Sequence, residues 1–463
     1  MAKGTVYLVG GGPGDPGLIT LRGLRLIRKA DVIVHDHLIP HELLGFAQPN
    51  AEIISVAKFA SRYTVPQDRI NSLIVEKAKE NKTVVRLKGG DPFLFGRGGE
   101  EAEACVKAKV NFEVVPGVTS ALAGPAYAGI APTHRDYASS LAIVTGHRSD
   151  DKPIEIPKAD TLIFLMPVAN LTKIIDSLLE SGLRGSTPIA AIQNGTCYNQ
   201  KIISATLDTF VETARREELE PPAIFVVGKV AQLHEKLEWF SKKMNVLVLG
   251  KHPEKYEYLG NIVHRPIIDC APIDDYSDVD SLLMKDLAAF DWIVFTSPNG
   301  VYYFFDRLYI TGSDARALAG IKTAAIGNTT AEKVKEFGVI CDLTAQDESS
   351  RGLLEVLRQY DMKDKKVLLP RSDIATEELP QGLMQMNACI EKLTVYKTVD
   401  IEPGPVDFDY IDCVLFTSGS TVRAFVKYFG SLPAGVKAFA TGHVTQAEAQ
   451  SYNITAELIE KIV

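Results

Sequence analysis

Residues 86–101 read Arg86-Leu87-Lys88-Gly89-Gly90-Asp91-Pro92-Phe93-Leu94-Phe95-Gly96-Arg97-Gly98-Gly99-Glu100-Glu101, directly after an apolar, β-branched run that begins at Thr83. A strand that runs straight into glycines leaves bare main chain at its carboxyl end. Without a Cβ at Gly89, Gly90, Gly96, Gly98 and Gly99, a ligand can reach the peptide N–H and C=O groups themselves. Lys88, Asp91, Arg97, Glu100 and Glu101 add charge of both signs to the same loop. The plainer alternative is a solvated βα loop whose glycines only turn the chain.

Outward from this loop, apolar runs alternate with amphipathic segments of helical length. Strands are predicted at 5–10, 31–35 and 83–87, and helices at 18–30, 66–81 and 100–109. That βαβ rhythm implies α/β layers. It recurs with strand-like runs at 141–145, 161–165, 189–193 and 223–228. A fresh α/β series opens at Val246-Leu247-Val248-Leu249-Gly250, after the polar Ser241-Lys242-Lys243-Met244, which places a domain boundary near Asn245.

The second half repeats one pattern: a short strand ending in a Ser/Thr turn, then an aromatic-bearing helix. The copies begin at Trp292-Ile293-Val294-Phe295-Thr296-Ser297 and Cys413-Val414-Leu415-Phe416-Thr417-Ser418. Each is followed by a glycine-containing βα turn, at Gly327-Asn328-Thr329-Thr330 and Gly442-His443-Val444-Thr445. Two similar lobes are expected.

The 463 residues suffice for several cores, and 46% hydrophobic with 23% charged residues describes soluble globular protein. No run reaches the roughly 18–20 apolar residues that span a bilayer, and the start shows no signal-peptide pattern, so the expected location is the cytoplasm. The six cysteines form no CxxC pair or His/Cys cluster, and no metal is expected. A net charge of −8 without a basic stripe argues against nucleic acid.

Gly12-Pro13-Gly14-Asp15-Pro16-Gly17 satisfies the dinucleotide spacing, with Asp36 further on. Against a nicotinamide enzyme, Pro13 and Pro16 remove two amide donors from the loop that would receive a pyrophosphate. His35-Asp36-His37 raises metal binding, but on an extended strand Asp36 would face away from both histidines and no third ligand is evident.

Five ordered segments carry a family resemblance: the 86–101 loop, Val6 to Pro16 (VYLVGGGPGDP), Thr64-Val65-Pro66-Gln67, Val114 to Ala121 (VVPGVTSA) and Pro132-Thr133-His134-Arg135-Asp136. Over residues 4–232 the chain resembles uroporphyrinogen-III C-methyltransferases of the tetrapyrrole methylase family. The resemblance implies a methylase fold of two α/β subdomains over 1–240, S-adenosylmethionine as methyl donor, and a homodimer. It assigns donor contacts to Pro13, Gly89, Gly90, Asp91, Leu94, Thr119, Ser120, Met166, Gly195 and Ala223. The acceptor, uroporphyrinogen III, carries eight carboxylates, which Arg97, Arg135, Lys58 and Arg62 would meet, with Arg forks suited to carboxylates. Asp36 corresponds to a proton acceptor and Lys58 to a proton donor, while Arg97 and Glu100 orient or deprotonate substrate. The chain departs from the family at His35-Asp36-His37, where Tyr-Asp-Arg is usual, and at Met166-Pro167, where Met-Gly is usual.

Residues 245–463 resemble uroporphyrinogen-III synthase, which implies two α/β lobes, 245–272 plus 399–463 and 275–397. Such an enzyme cyclises hydroxymethylbilane, and preorganised amides and hydroxyls can hold its carboxylates as charge develops. Ser297, Asn299, Thr329, Ser418, Thr421 and Thr445 are the expected contacts, and Tyr396 matches a tyrosine that assists loss of the hydroxyl. The opening strand ends in Leu249-Gly250-Lys251 where Thr-Arg is usual. Together the halves imply a bifunctional enzyme that makes uroporphyrinogen III and methylates it twice to precorrin-2, toward sirohaem or cobalamin. A methyltransferase with an inactive synthase lobe and a non-catalytic tetrapyrrole binder are the alternatives.

Overall fold

A computed structural model describes residues 4–56, 65–147 and 154–459. Grouped by proximity, one compact unit runs to Leu247 and takes in Glu254–His264 and Val406–Cys413. The other comprises Val248–Pro253, Arg265–Pro405 and the chain from Val414 onward.

The first sheet is formed by β1 (Thr5–Gly10), β2 (Val32–His35), β3 (Glu52–Ser55), β4 (Thr83–Lys88) and β5 (Asn111–Val115), in the order β3-β2-β4-β1-β5. All its pairings are parallel. Strands β1, β2 and β4 are buried over nearly their whole length, as central parallel strands covered on both faces must be. One face packs Val6, Leu8, Val32, Val34 and Ile74, and the other Val9, Ile33, Val85 and Leu87. The helix expected over 18–30 is divided: a short turn at Pro16–Leu18 capped by Asp15, then a helix at Leu21–Ile27 capped by Thr20.

The second sheet holds β6 (Leu141–Thr145), β7 (Thr161–Leu165), β8 (Pro188–Gln193), β9 (Lys201–Thr206) and β10 (Ala223–Val227), in the order β6-β7-β10-β8-β9. Its strand positions follow the apolar runs, but only β6 and β7 are parallel. The β7–β10, β10–β8 and β8–β9 pairings are antiparallel, so the expected βαβ repetition does not extend into this layer.

In the second half, β11 (Asn245–Val248), β12 (Asn261–His264), β19 (Cys413–Phe416), β20 (Lys437–Ala440) and β21 (Ala456–Leu458) form a sheet ordered β12-β11-β19-β20-β21. The intervening chain supplies β13 (Ile268–Ala271), β14 (Trp292–Phe295), β15 (Lys322–Ala325), β16 (Leu343–Thr344), β17 (Lys366–Ser372) and β18 (Cys389–Asp400), ordered β13-β18-β17-β14-β15-β16. The chain thus enters one sheet, builds a second, and returns to the first.

Candidate functional sites

At the carboxyl ends of β1, β4 and β5 three glycines meet main chain to main chain. A Cβ added at Gly117 would lie 2.3 Å from the Gly90 carbonyl oxygen and 2.6 Å from the Gly10 Cα. Gly90 and Gly12, both left-handed at φ 66° and 82°, exchange a pair of hydrogen bonds of 2.7 and 3.3 Å. Glycine is therefore required here by both contact and conformation. Gly90 faces Thr119 and Ser120, whose nearest atoms would lie 3.8–3.9 Å from a Cβ. Thr119 caps the helix Ser120–Tyr127.

Asp91 has a structural occupation. Its Oδ1 accepts from the Phe93 and Leu94 amides at 2.8 and 3.2 Å, and its Oδ2 from Gly117 at 3.1 Å. The carboxylate thereby ties the loop after β4 to the loop after β5. Phe95 and Arg97 follow at φ 53° and 58°, uncommon for non-glycine residues and a form of strain found at functional loops.

The loop that carries Pro13 reaches the second sheet. A Cβ at Gly14 would touch Cys197 and Thr196, and the Asp15 amide donates to Thr196 Oγ1 at 3.0 Å. Tyr127 donates to Asp15 Oδ2 at 2.6 Å, and burial followed by this carboxylate pushes the phenol upward. Gly195 lies against Gly124 of the capped helix. The β7–β10 register carries Met166, at φ 56° and half exposed, to the level of Ala223. The structure thus groups Gly89, Gly90, Asp91, Leu94, Thr119 and Ser120 around one loop junction, with Pro13 and Gly195 on the adjoining contact and Met166 beside Ala223.

Below the junction lies a charged cluster that the sequence pattern does not reveal. Arg86 is 2% exposed and Glu101 fully buried. Arg86 Nε donates to Glu101 Oε1 at 2.9 Å and its Nη2 to Asp36 Oδ1 at 2.5 Å. Lys88 Nζ and Gln67 Nε2 reach the same Glu101 oxygen at 3.0 and 3.3 Å. Burial lowers Arg86, but Glu101 and Asp36 more than offset it and hold the guanidinium above its ordinary value. Lys88 is depressed by burial and then by Arg86. The only available signal was a pair of cations inside an apolar parallel strand, where each must find a counter-charge.

Strand β2 stops at His35, so the alternation expected across His35-Asp36-His37 is not realised. His35 Nδ1 turns to the Asp36 carbonyl at 2.9 Å, and burial lowers its pKa. Among the described residues no group of three or more His, Cys, Asp or Glu could hold a metal. Arg97 forks onto Glu100 at 2.8 and 2.7 Å, both side chains about half exposed. Arg135 sits exposed in the turn closed by His134 and Ala138, with no side-chain partner among the described residues. Lys58 and Arg62 lie outside the described residues.

In the second half the predicted contacts fall at four helix N-termini. Ser297 caps Pro298–Ile310, where Asn299 is the second residue, and Thr329 is the second residue of Asn328–Glu336. Ser418 caps Gly419–Phe429 in a reciprocal box with Thr421, and Thr445 is the third residue of His443–Ser451. Thr421 and Thr445 are buried, and the Thr421 hydroxyl donates to the Ser418 carbonyl at 2.7 Å. The Glu348 carboxylate already accepts from the Asn328 amide at 2.9 Å, a stand-in for an anion at such an end. Tyr396 is 7% exposed, stacks on Tyr303 and meets Ser297 Oγ at 3.2 Å, with its phenol raised by burial.

Residues 5–211 match the model of the Tetrapyrrole (Corrin/Porphyrin) Methylases, and residues 254–462 that of Uroporphyrinogen-III synthase HemD. A porphyrin biosynthesis protein HemD from Ruminiclostridium josui is 37% identical, over 100% of this chain and 96% of its own. A uroporphyrinogen-III C-methyltransferase from Methanocaldococcus jannaschii is 49% identical over 50% of this chain and 98% of its own. A crystal structure of uroporphyrin-III-C-methyltransferase from Thermus thermophilus, 38% identical, covers 51% of this chain and 97% of its own with a TM-score of 0.45. Matched end to end by a HemD protein and half by half by two family models, this chain belongs to the tetrapyrrole methylases through its first half and to the HemD uroporphyrinogen-III synthases through its second.

Proposed function

We propose that this chain cyclises hydroxymethylbilane to uroporphyrinogen III in its second half and, in its first, transfers two methyl groups to that product to give precorrin-2. The end-to-end likeness to a porphyrin biosynthesis protein carries this reading. The glycine junction fits an adenosyl ligand: it offers main-chain groups beside Gly90, Thr119 and Ser120. Bound there, S-adenosylmethionine supplies a methyl group carried on a sulfonium.

The protein's own work is alignment, exclusion of water and removal of one proton for each methyl group added. Gly89, Gly90, Thr119 and Ser120 orient the donor through main chain, while Leu94, Met166 and Ala223 wall it off. Arg97, Arg135 and Arg62 hold acceptor carboxylates, Arg97 by exchanging Glu100 for substrate. Asp36 Oδ1 is held by Arg86, and Oδ2 has no bond among the described residues, so as the S–CH3 bond breaks and the substituted ring carbon becomes quaternary, Oδ2 takes the proton that the macrocycle gives up at another of its atoms. Lys58 acts as proton donor. In the second half the helix ends at Ser297, Asn299, Thr329, Ser418 and Thr445 hold bilane carboxylates, and the Tyr396 hydroxyl assists departure of the substrate's hydroxyl.

The test is to give the pure chain hydroxymethylbilane and S-adenosylmethionine and identify products by mass. Precorrin-2 with S-adenosylhomocysteine is the expected result. Methylation only when ready-made uroporphyrinogen III is supplied would reduce the second half to an inactive lobe, and binding without S-adenosylhomocysteine release would overturn the enzyme reading altogether.

A further inference from the structure

We infer that Glu101 is a positioning residue for methyl transfer, acting through Arg86 to fix the carboxylate of Asp36. The inference rests on Asp36 being the proton acceptor.

Arg86 projects from β4 and is itself almost wholly buried, and four acceptors immobilise it. Besides Glu101 and Asp36, its Nη1 reaches the carbonyls of Leu87 and Val34 at 3.3 and 3.4 Å. A guanidinium is planar and its donors are fixed in direction, so the bond to Glu101 sets where Nη2 points. Nη2 in turn holds Asp36, which stands just past the end of β2 and is 31% exposed, the group of the cluster that opens to solvent. Glu101 gains nothing obvious for itself. Its Oε1 collects Arg86, Lys88 and Gln67, while Oε2 is buried with no hydrogen-bond partner. Burying such a group is expensive, and replacing a buried ionic cluster by apolar residues is often neutral or stabilising. Stability alone therefore does not account for the arrangement.

The balance of charge is part of the device. Two cations, Arg86 and Lys88, face two carboxylates, Glu101 and Asp36. Without Glu101 both cations would turn on Asp36, the only carboxylate left in the cluster, and draw its oxygens inward from the substrate side. Glu101 also lies in the first turn of the helix Gly98–Lys107, next to Glu100, so the inward carboxylate and the Arg97–Glu100 pair are carried on one turn.

The experiment is a double-mutant cycle on the full chain, with steady-state methyl transfer to uroporphyrinogen III as readout. Asp36→Asn should lower kcat about 100-fold, as loss of a general base does. Glu101→Gln should lower kcat about 10-fold with KM for both substrates nearly unchanged, the size expected of a misplaced catalytic group. The double variant should be no slower than Asp36→Asn alone. Thermal stabilisation by S-adenosylhomocysteine checks that each variant folds. Should Glu101→Gln fail that check, the charge-neutral pair Arg86→Met with Glu101→Leu takes its place in the cycle. Losses that multiply in the double variant would overturn the positioning role. A full rate for Asp36→Asn would instead overturn the assignment of Asp36, on which the role depends.

Discussion

In the first half the polar groups meet inside the sheet, whereas in the second they sit at the open ends of helices. Arg86, Lys88 and Glu101 are buried together under a junction of glycines, and only Asp36 opens outward. Beyond β14, β15, β19 and β20, by contrast, the hydroxyl-bearing residues are spread over four separate helix N-termini. Arg371 is buried in the second half too, but its guanidinium ends on the carbonyls of Ala375 and Thr376 and on half-exposed Glu377. The difference suits the two chemistries proposed. Methyl transfer needs one reacting carbon held against one donor and one base, so rigidity is concentrated at a point. Cyclisation of a bilane that supplies its own leaving group needs carboxylates held at several places at once.

The sharpest way to break this comparison is to fill the glycine junction. Gly117→Ala would set a methyl 2.3 Å from the Gly90 carbonyl oxygen and 2.6 Å from the Gly10 Cα, against backbone that cannot rotate away. The expected cost is about 3 kcal/mol in the first half, with methyl transfer lost. Cyclisation of hydroxymethylbilane should persist, because no helix end in the second half depends on that contact. Thermal unfolding followed alongside both activities decides the matter; equal loss of both would show that the halves do not work separately.

What could be seen in the sequence follows from the same contrast. Buried strands announce themselves as apolar runs, so β1, β4, β7, β14 and β19 lie where the pattern places them. Half-polar edge strands do not. Glu52–Ser55 and Lys201–Thr206 carry polar residues along half their length and sit at sheet margins. Lys366–Ser372 contains Pro370, which ordinarily argues against an inner strand. Its neighbour β14 pairs only with Val367 and Leu368, so the missing amide falls beyond that ladder. The glycine junction was legible because contact between backbones demands one residue type. The Arg86–Glu101 cluster was not, since its partners lie 15 residues apart and meet only once the helix after the loop folds back on β4.

A smaller effect would sharpen the role of the exposed charges. Arg97 and Glu100 are each about half exposed, so their ion pair should contribute less than about 1 kcal/mol to stability. Arg97→Ala should therefore leave the melting temperature almost unchanged while lowering methyl transfer about 10-fold or more, through loss of a carboxylate fork. The loss should appear mainly in KM for uroporphyrinogen III, and cyclisation should be untouched. An unchanged KM would mean that the pair only finishes the helix that begins at Gly98.

The smallest expected effects separate the two lobes of the second half. Ser297 and Ser418 are both caps, accepting from Gly300 and Thr421 at 2.9 and 3.3 Å. Replacing either by alanine removes one such bond and should cost about 1 kcal/mol. Ser418→Ala leaves the Thr421 hydroxyl free to keep its bond to the Ser418 carbonyl, at 2.7 Å, so the turn survives. Ser297→Ala costs a similar amount but also takes a partner from the buried Tyr396 hydroxyl. If Tyr396 assists loss of the substrate's hydroxyl, only the second substitution should slow cyclisation beyond what its loss of stability explains. Equal rates for the two variants, measured with hydroxymethylbilane well below their melting temperatures, would reduce Tyr396 to packing against Tyr303 and leave the helix ends as the whole of the cyclisation site.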